Sequence, residues 1–215
     1  MNERKTFLVF GASGQTGRHF IALALREGHA VRALARRPDK ITLDSPGLTV
    51  RRGSIDNPAD WADLVPGADY IVAMLGDKET QKTKMINTAF VRELVPIMRR
   101  HGVTRFLYQA GGLSRVPGRR LSPLLWAFRA TVARSFEGQH RDNEAVMRYL
   151  TEEAADLEWM VHRAGIGSDG PSKGTLERSA DRISIATFRD CADYSYRTVM
   201  DAGAVRTCDA SSYRR

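Results

Sequence analysis

Strand-like and helix-like patterns alternate along the 215-residue chain, and an apolar run at Phe7–Phe10 empties into Gly11-x-x-Gly14-x-x-Gly17. These observations predict an α/β fold of Rossmann type: a doubly wound, mainly parallel sheet with helices on both faces. A third agrees with them. The segment 69–76 is apolar nearly throughout, as a parallel strand buried on both faces must be.

The glycine turn opens the functional argument. The first amides of a helix lack partners and, with the helix dipole, form a ready anion site. In such a turn Gly11 lets the chain leave the strand sharply, Gly14 admits a pyrophosphate and Gly17 lets the helix pack closely on the sheet. The second strand arrives on time at 29–34, so a dinucleotide cofactor is expected rather than a bare connector. Beyond that strand stands Ala35-Arg36-Arg37-Pro38, where an NAD-type site would place an acid. Two guanidiniums suit a 2′-phosphate, which favours NADP(H) over NAD(H); the alternative is a solvated basic turn.

The length suits one domain spanning 1–215. No segment approaches the roughly 20 apolar residues of a membrane span. The N-terminus carries charges but no apolar signal core, so a cytoplasmic protein without membrane contact is expected. Cys191 and Cys208 fit neither a metal cluster nor a disulfide framework, and no metal is expected. The net charge of +8 invites a nucleic-acid reading, yet the Arg pairs are scattered and not interleaved with aromatics. Anionic small ligands fit that charge better.

Further along, 48–53 reads as the third strand, and Asn57-Pro58 caps a short helix. A long helix is predicted over 83–101, kinked at Pro96 and ended by Gly102; the fifth strand is 103–109. The basic, Pro/Gly-punctuated stretch 111–139 reads as a substrate-side flap, or equally as a packing excursion. A helix at 140–150, a sixth strand at 157–163, a short strand at 182–186, a helix at 188–202 and an edge strand at 204–210 complete the reading.

With these segments in place the chain resembles the atypical short-chain dehydrogenase/reductases, the NAD(P)H-binding NmrA-like proteins, and within them the biliverdin IXβ reductase/flavin reductase branch. GASGQTG (11–17), Met74-Leu75-Gly76-Asp77-Lys78, HGVTRFLYQ (101–109), LEWMVHRAGIG (157–167) and the stretch 182–201 carry the likeness. The resemblance implies pyrophosphate contacts at Gly11, Ser13, Gly14, Gln15, Thr16 and Gly17. Arg36 and Arg37 would meet the 2′-phosphate, and Ser54-Ile55 would flank the adenine. Met74, Leu75, Gly76 and Lys78 would border the ribose and nicotinamide, with Gly165-Ile166 at the carboxamide; Met74 and Leu75 as plain core and Lys78 as a solvated charge are the bland alternatives.

The chain also departs from these relatives. No Tyr-x-x-x-Lys occurs anywhere, so the proton donor of common short-chain dehydrogenases is missing. Where the branch carries a serine after the fifth strand, Ala110-Gly111-Gly112 stands, leaving backbone amides as anion donors. Tyr108, Ser114 and His140 are the candidate substitutes. A reduced nicotinamide can pass hydride to a flavin, quinone or linear tetrapyrrole with little acid help, which makes a reductase of such small-molecule acceptors the leading reading. Arg115, Arg119 and Arg120 would then attract the acceptor's phosphate or carboxylates. The alternative is an NADP(H)-binding sensor with a protein partner and no turnover; an epimerase-like variant ranks third. A monomer or weak dimer is expected.

Overall fold

The computed structural model describes residues 3–165, 167–180 and 182–214. In chain order they form β1 (Thr6–Phe10), α1 (Gln15–Arg26), β2 (Ala30–Ala35), β3 (Leu48–Arg52), β4 (Tyr70–Ala73), α2 (Ile86–Arg100), β5 (Arg105–Gly111) and α3 (Pro123–Ala130). There follow α4 (Glu137–Glu153), β6 (Glu158–Ala164), β7 (Gly167–Ser168), β8 (Leu176–Ser179), β9 (Ala186–Thr187), α5 (Phe188–Met200) and β10 (Thr207–Tyr213). Eight strands make one sheet in the order β3-β2-β1-β4-β5-β6-β10-β8. Every neighbouring pair is parallel except β10 with β8, while β7 and β9 pair separately.

Period-two alternation decides which helices cover which face. Leu8 and Phe10 of β1 point to the side packed by Phe90, Leu94, Val146 and Leu150 of α2 and α4. Phe7 and Val9 point the other way, onto Phe20 and Ile21 of α1 and Ala192 and Val199 of α5. The order reverses between β1 and β4, so their carboxyl ends open a crevice there. Among the described residues no helix is long and apolar enough to cross a membrane.

Several elements differ from the sequence reading. The predicted strand at 182–186 forms only at its last residue, which pairs with Gly167; Ile183 and Ile185 line a cavity instead of a sheet face. The antiparallel strand is β8, whose polar LERS gives no apolar signal. β10 runs on to Tyr213 and lies inside the sheet between β6 and β8 rather than at its edge. Its buried positions include Ser211 and Ser212, so the alternation is disguised. Ser211 is kept because its hydroxyl and that of Ser195 each lie 2.9 Å from a ring nitrogen of fully buried His162. The flap holds a helix, α3, with Ser122 at its cap and Pro123 at its first position. The long helix is continuous through Pro96 but starts at Ile86, three residues later than its periodicity implied.

That late start has a cause in α4. Asp142, fully buried, reaches across and accepts from the amides of Asn87 (3.0 Å) and Thr88 (2.9 Å), from the Thr88 hydroxyl (2.7 Å) and from Gln81 Nε2 (2.8 Å). A carboxylate at a helix N-terminus satisfies orphan donors and complements the dipole. Asp142→Ala is expected to lower stability by about 2–4 kcal/mol, because buried donors lose their acceptor. Chemical denaturation checks this, and an unchanged midpoint would show that water replaces the carboxylate freely.

Candidate active site

The glycine turn is tighter than its motif alone conveys. Gly11 has φ +81°, and a Cβ there would overlap the backbone carbonyl of Met74 at the end of β4. Only glycine takes that conformation at such a distance without strain. A Cβ at Gly17 would overlap the carbonyl of Gly11, so the third glycine holds α1 against the turn itself rather than against the sheet. Gly14 caps α1: its amide donates to Gly11 (2.9 Å) and its carbonyl accepts from Arg18 (3.0 Å). The amides of Gln15, Thr16 and Gly17 precede that first helical bond, and the first turn carries no acid to compete for an anion.

Above these amides lies a cleft of about 260 Å³. Gly11, Ser13 and Gly14 form its floor and Arg36, Arg37, Ser54 and Ile55 one wall; Met74, Leu75 and Gly76 form the other. Ten of the nucleotide residues expected from sequence therefore line one cleft at the β1/β4 crevice. Gln15 is exposed beside it, while Thr16 is buried, its hydroxyl 3.5 Å from Gln109 Nε2. Lys78 turns away, its ammonium 4.2 Å from the Phe136 ring centroid, which ties the loop after β4 to the flap. Ile166 lies outside the described residues. Six lining residues were missed, Leu34, Ala35, Gly53, Asp77, Ile86 and Asn87, of which Asp77 and Asn87 carry polar side chains. Asp77 pairs with Arg36 at 3.1 Å, and its carboxyl is held below the ordinary range by the Thr80 amide and then by Arg36.

A second cavity, of about 520 Å³, opens beside the first. The two meet at Gly76, where a Cβ would stand 3.2 Å from Nε2 of Gln139, a residue lining the second cavity. Gly111 and Gly165 line this cavity rather than the cleft, and Ala110 is buried next to Gly111. Its walls are Leu124, Leu125, Phe128, Val132 and Phe136 from the flap, facing Ile183 and Ile185. A Cβ at Gly111 would meet only ordinary contacts, 3.6 Å from Asn143 Nδ2 and 4.0 Å from His140 Nδ1. Packing therefore does not exclude a side chain at this position.

The three candidate proton donors sit very differently. Tyr108 is fully buried and its hydroxyl donates to Asn143 Oδ1 (2.6 Å) while accepting from Asn87 Nδ2 (2.8 Å). Burial drives its pKa far upward, so it is a structural hydroxyl and lines neither cavity. Ser114 is likewise fully buried, 3.4 Å from Asn143 Nδ2. His140 does line the second cavity, is 6% exposed, and has no hydrogen-bond partner for either ring nitrogen among the described residues. Burial first, and the Arg129 charge second, push its pKa down to about 4, against the opposite pull of Glu137 and Glu144.

The basic character expected of the flap is cancelled locally. Buried Arg129 pairs with both Glu137 (2.9 Å) and Glu144, and Glu144 also binds Arg115 through its guanidinium (2.9 Å) and amide (2.8 Å). Arg115 is thus not free to attract an acceptor, whereas Arg119 and Arg120 are exposed beyond the cavity lining.

A sequence-family model for NAD(P)H-binding proteins matches residues 11–188, which takes in both cavities. The chain belongs to this NAD(P)H-binding family. Members of the wider fold agree in architecture. An oxidoreductase, YlbE from Lactococcus lactis, superposes with a TM-score of 0.80 at 16% identity, over 98% of this chain and 91% of its own. The anaerobillin reductase ChuY from Escherichia coli gives 0.75 at 21% identity over 96% of each chain. In sequence, a maize isoflavone reductase homolog is 32% identical over 87 residues, 36% of this chain; that match spans only 28% of the maize protein. The family match thus covers the glycine-turn cleft and the second cavity described above.

His140 supplies a direct physical check. Its folded pKa of about 4 lies below the ordinary histidine value of 6.5, so the unfolded chain takes up its proton first. The stability contributed by the neutral ring is complete above about pH 6.5 and is lost as pH falls toward about 4. An NMR titration should find the His140 ring unprotonated down to about pH 5; a midpoint at or above the ordinary histidine value would contradict its burial.

Proposed function

We propose that this chain is an NAD(P)H-dependent reductase that passes hydride to an electron-poor ring, with NADPH as the preferred donor. One observation carries the reading: an apolar cavity adjoins the nucleotide cleft at Gly76 and Gln139 and holds an uncharged, unpartnered His140. The glycine-turn amides and Arg36 would hold the phosphates, and the bound nicotinamide would supply a hydride equivalent of two electrons. The chain's own part is to orient the two reacting rings. His140, neutral at ordinary pH, can offer an N–H to an acceptor oxygen but cannot act as a strong acid. An acceptor that delocalises the incoming charge, such as a flavin, quinone or linear tetrapyrrole, needs nothing more. A plain aldehyde or ketone, which forms an alkoxide, does.

Cofactor choice rests on Arg36, whose ion pair with Asp77 a 2′-phosphate would have to share. Arg36 is exposed, so its contribution is screened; Arg36→Ala should weaken NADPH binding roughly five- to tenfold and leave NADH unchanged. Asp77→Asn, which frees Arg36, should tighten NADPH. Calorimetric titration of both nucleotides decides, and equal affinity of the wild type for the two would end the preference.

Turnover is tested by NADPH oxidation with flavins, quinones, bilins and simple carbonyls offered in turn. Oxidation with a delocalised ring and almost none with aldehydes or ketones is expected. Efficient carbonyl reduction would reveal an acid that the burial of Tyr108 and Ser114 and the neutrality of His140 do not supply. Tight NADPH binding with no oxidation by any acceptor would favour a sensor.

A further inference from the structure

The second cavity is uncharged throughout its described lining. Its polar side chains are Gln139, His140 and Ser184, all neutral at ordinary pH, and the rest is aliphatic or aromatic. Of the cations around it, Arg115 and Arg129 are matched by Glu137 and Glu144, Arg163 donates to the Gly112 carbonyl, and Lys78 stands against the Phe136 ring without lining the cavity. The amide of Gly112, offered by the sequence as an anion donor, is taken by the Ala164 carbonyl, so a carboxylate or phosphate entering here would lose its water and find no charged side chain in the described lining, which is a large cost in binding. An apolar ring pays no such cost and gains by burial.

The rim extends the same character outward. Leu124, Val132 and Ile185 are 78%, 70% and 63% exposed although each lines the cavity. With Phe136 they make four of the seven large apolar side chains standing exposed among the described residues, gathered at one mouth. Such a concentration marks a binding surface rather than ordinary scatter.

From this geometry we infer that the acceptor is an uncharged apolar ring of the quinone class, and that the cavity selects against anionic acceptors, a phosphorylated flavin or a propionate-bearing bilin included. This rests on the reductase reading for its chemistry and on the cavity alone for its selectivity. The reaction balances as NADPH, a proton and quinone giving NADP+ and hydroquinone: the hydride carries both electrons and one proton, and water at the open mouth supplies the second proton. No acidic side chain is required.

The experiment uses two pairs that differ in charge. A dimethyl-naphthoquinone is compared with the corresponding methyl-naphthoquinone sulfonate, and riboflavin with FMN, which has the same ring and adds a phosphate. The sulfonate withdraws electrons, so intrinsic reactivity favours the anion and any preference for the neutral ring reports the cavity. Each is titrated calorimetrically into the protein alone and with saturating NADP+, then offered with NADPH. The neutral member of each pair should bind and react at least about tenfold better. Leu124→Lys, at the exposed rim, should narrow that ratio severalfold by giving the anion a partner. Equal or better binding of the anions, no binding of either neutral ring, or a ratio untouched by Leu124→Lys would overturn the proposal. Selective binding of the neutral rings without NADPH oxidation would uphold the selectivity and remove the reductase reading.

Discussion

The close passage of the first turn beneath the end of β4 governs this molecule. Gly11 adopts a left-handed backbone with no room for a side chain against the Met74 carbonyl. That approach brings Met74, Leu75 and Gly76 to the N-terminus of α1, so one short crevice holds both an anion cradle and an apolar wall. Gly17 completes it by keeping α1 tight on the turn. A side chain at either position would move α1 away from β4 and open the cleft. The sequence motif is the visible trace of this packing constraint as much as of a ligand.

A second constraint joins the cleft to its neighbour. The Asp142 carboxylate of α4 caps α2 and binds Gln81, which fixes the loop after β4 against the start of α4. Asn87, Tyr108, Asn143 and Ser114 continue the tie as a buried hydrogen-bonded chain running from α2 through β5 to the flap. The side chains that look like acids in the sequence are therefore scaffolding. The Tyr108 and Ser114 hydroxyls are spent holding elements together, whereas His140, at the cavity, has no hydrogen-bond partner among the described residues.

How much of this was legible depended on whether the signal was local. The glycine turn, the five following parallel strands and the arginines after β2 announce themselves within a few residues, and they lie where the pattern places them. β8 does not, and β10 does so only as far as residue 210, because LERS and TCDASSY bury small polar side chains through hydrogen bonds that only tertiary neighbours provide. Ile183 and Ile185 alternate as a strand would, yet serve a cavity wall. The charge on the flap was misleading for a related reason: the sequence offers Arg115 to an anionic acceptor, while Glu144, in α4, pairs with it. The one overlooked local signal was Ser122-Pro123 at the head of α3, a cap followed by a first-turn proline.

In the proposed reaction, hydride leaves a nicotinamide held at the glycine turn for an acceptor in the adjoining cavity. Isotope transfer tests it most directly. NADPH deuterated on one or the other face of the reactive ring carbon is oxidised under single turnover with a neutral quinone, and the rate and the residual label in NADP+ are read. The account predicts that one face alone shows a primary isotope effect and loses its deuterium, as a ring fixed between cleft and cavity requires. Equal loss from both faces, or oxidation with no isotope effect on either, would contradict it.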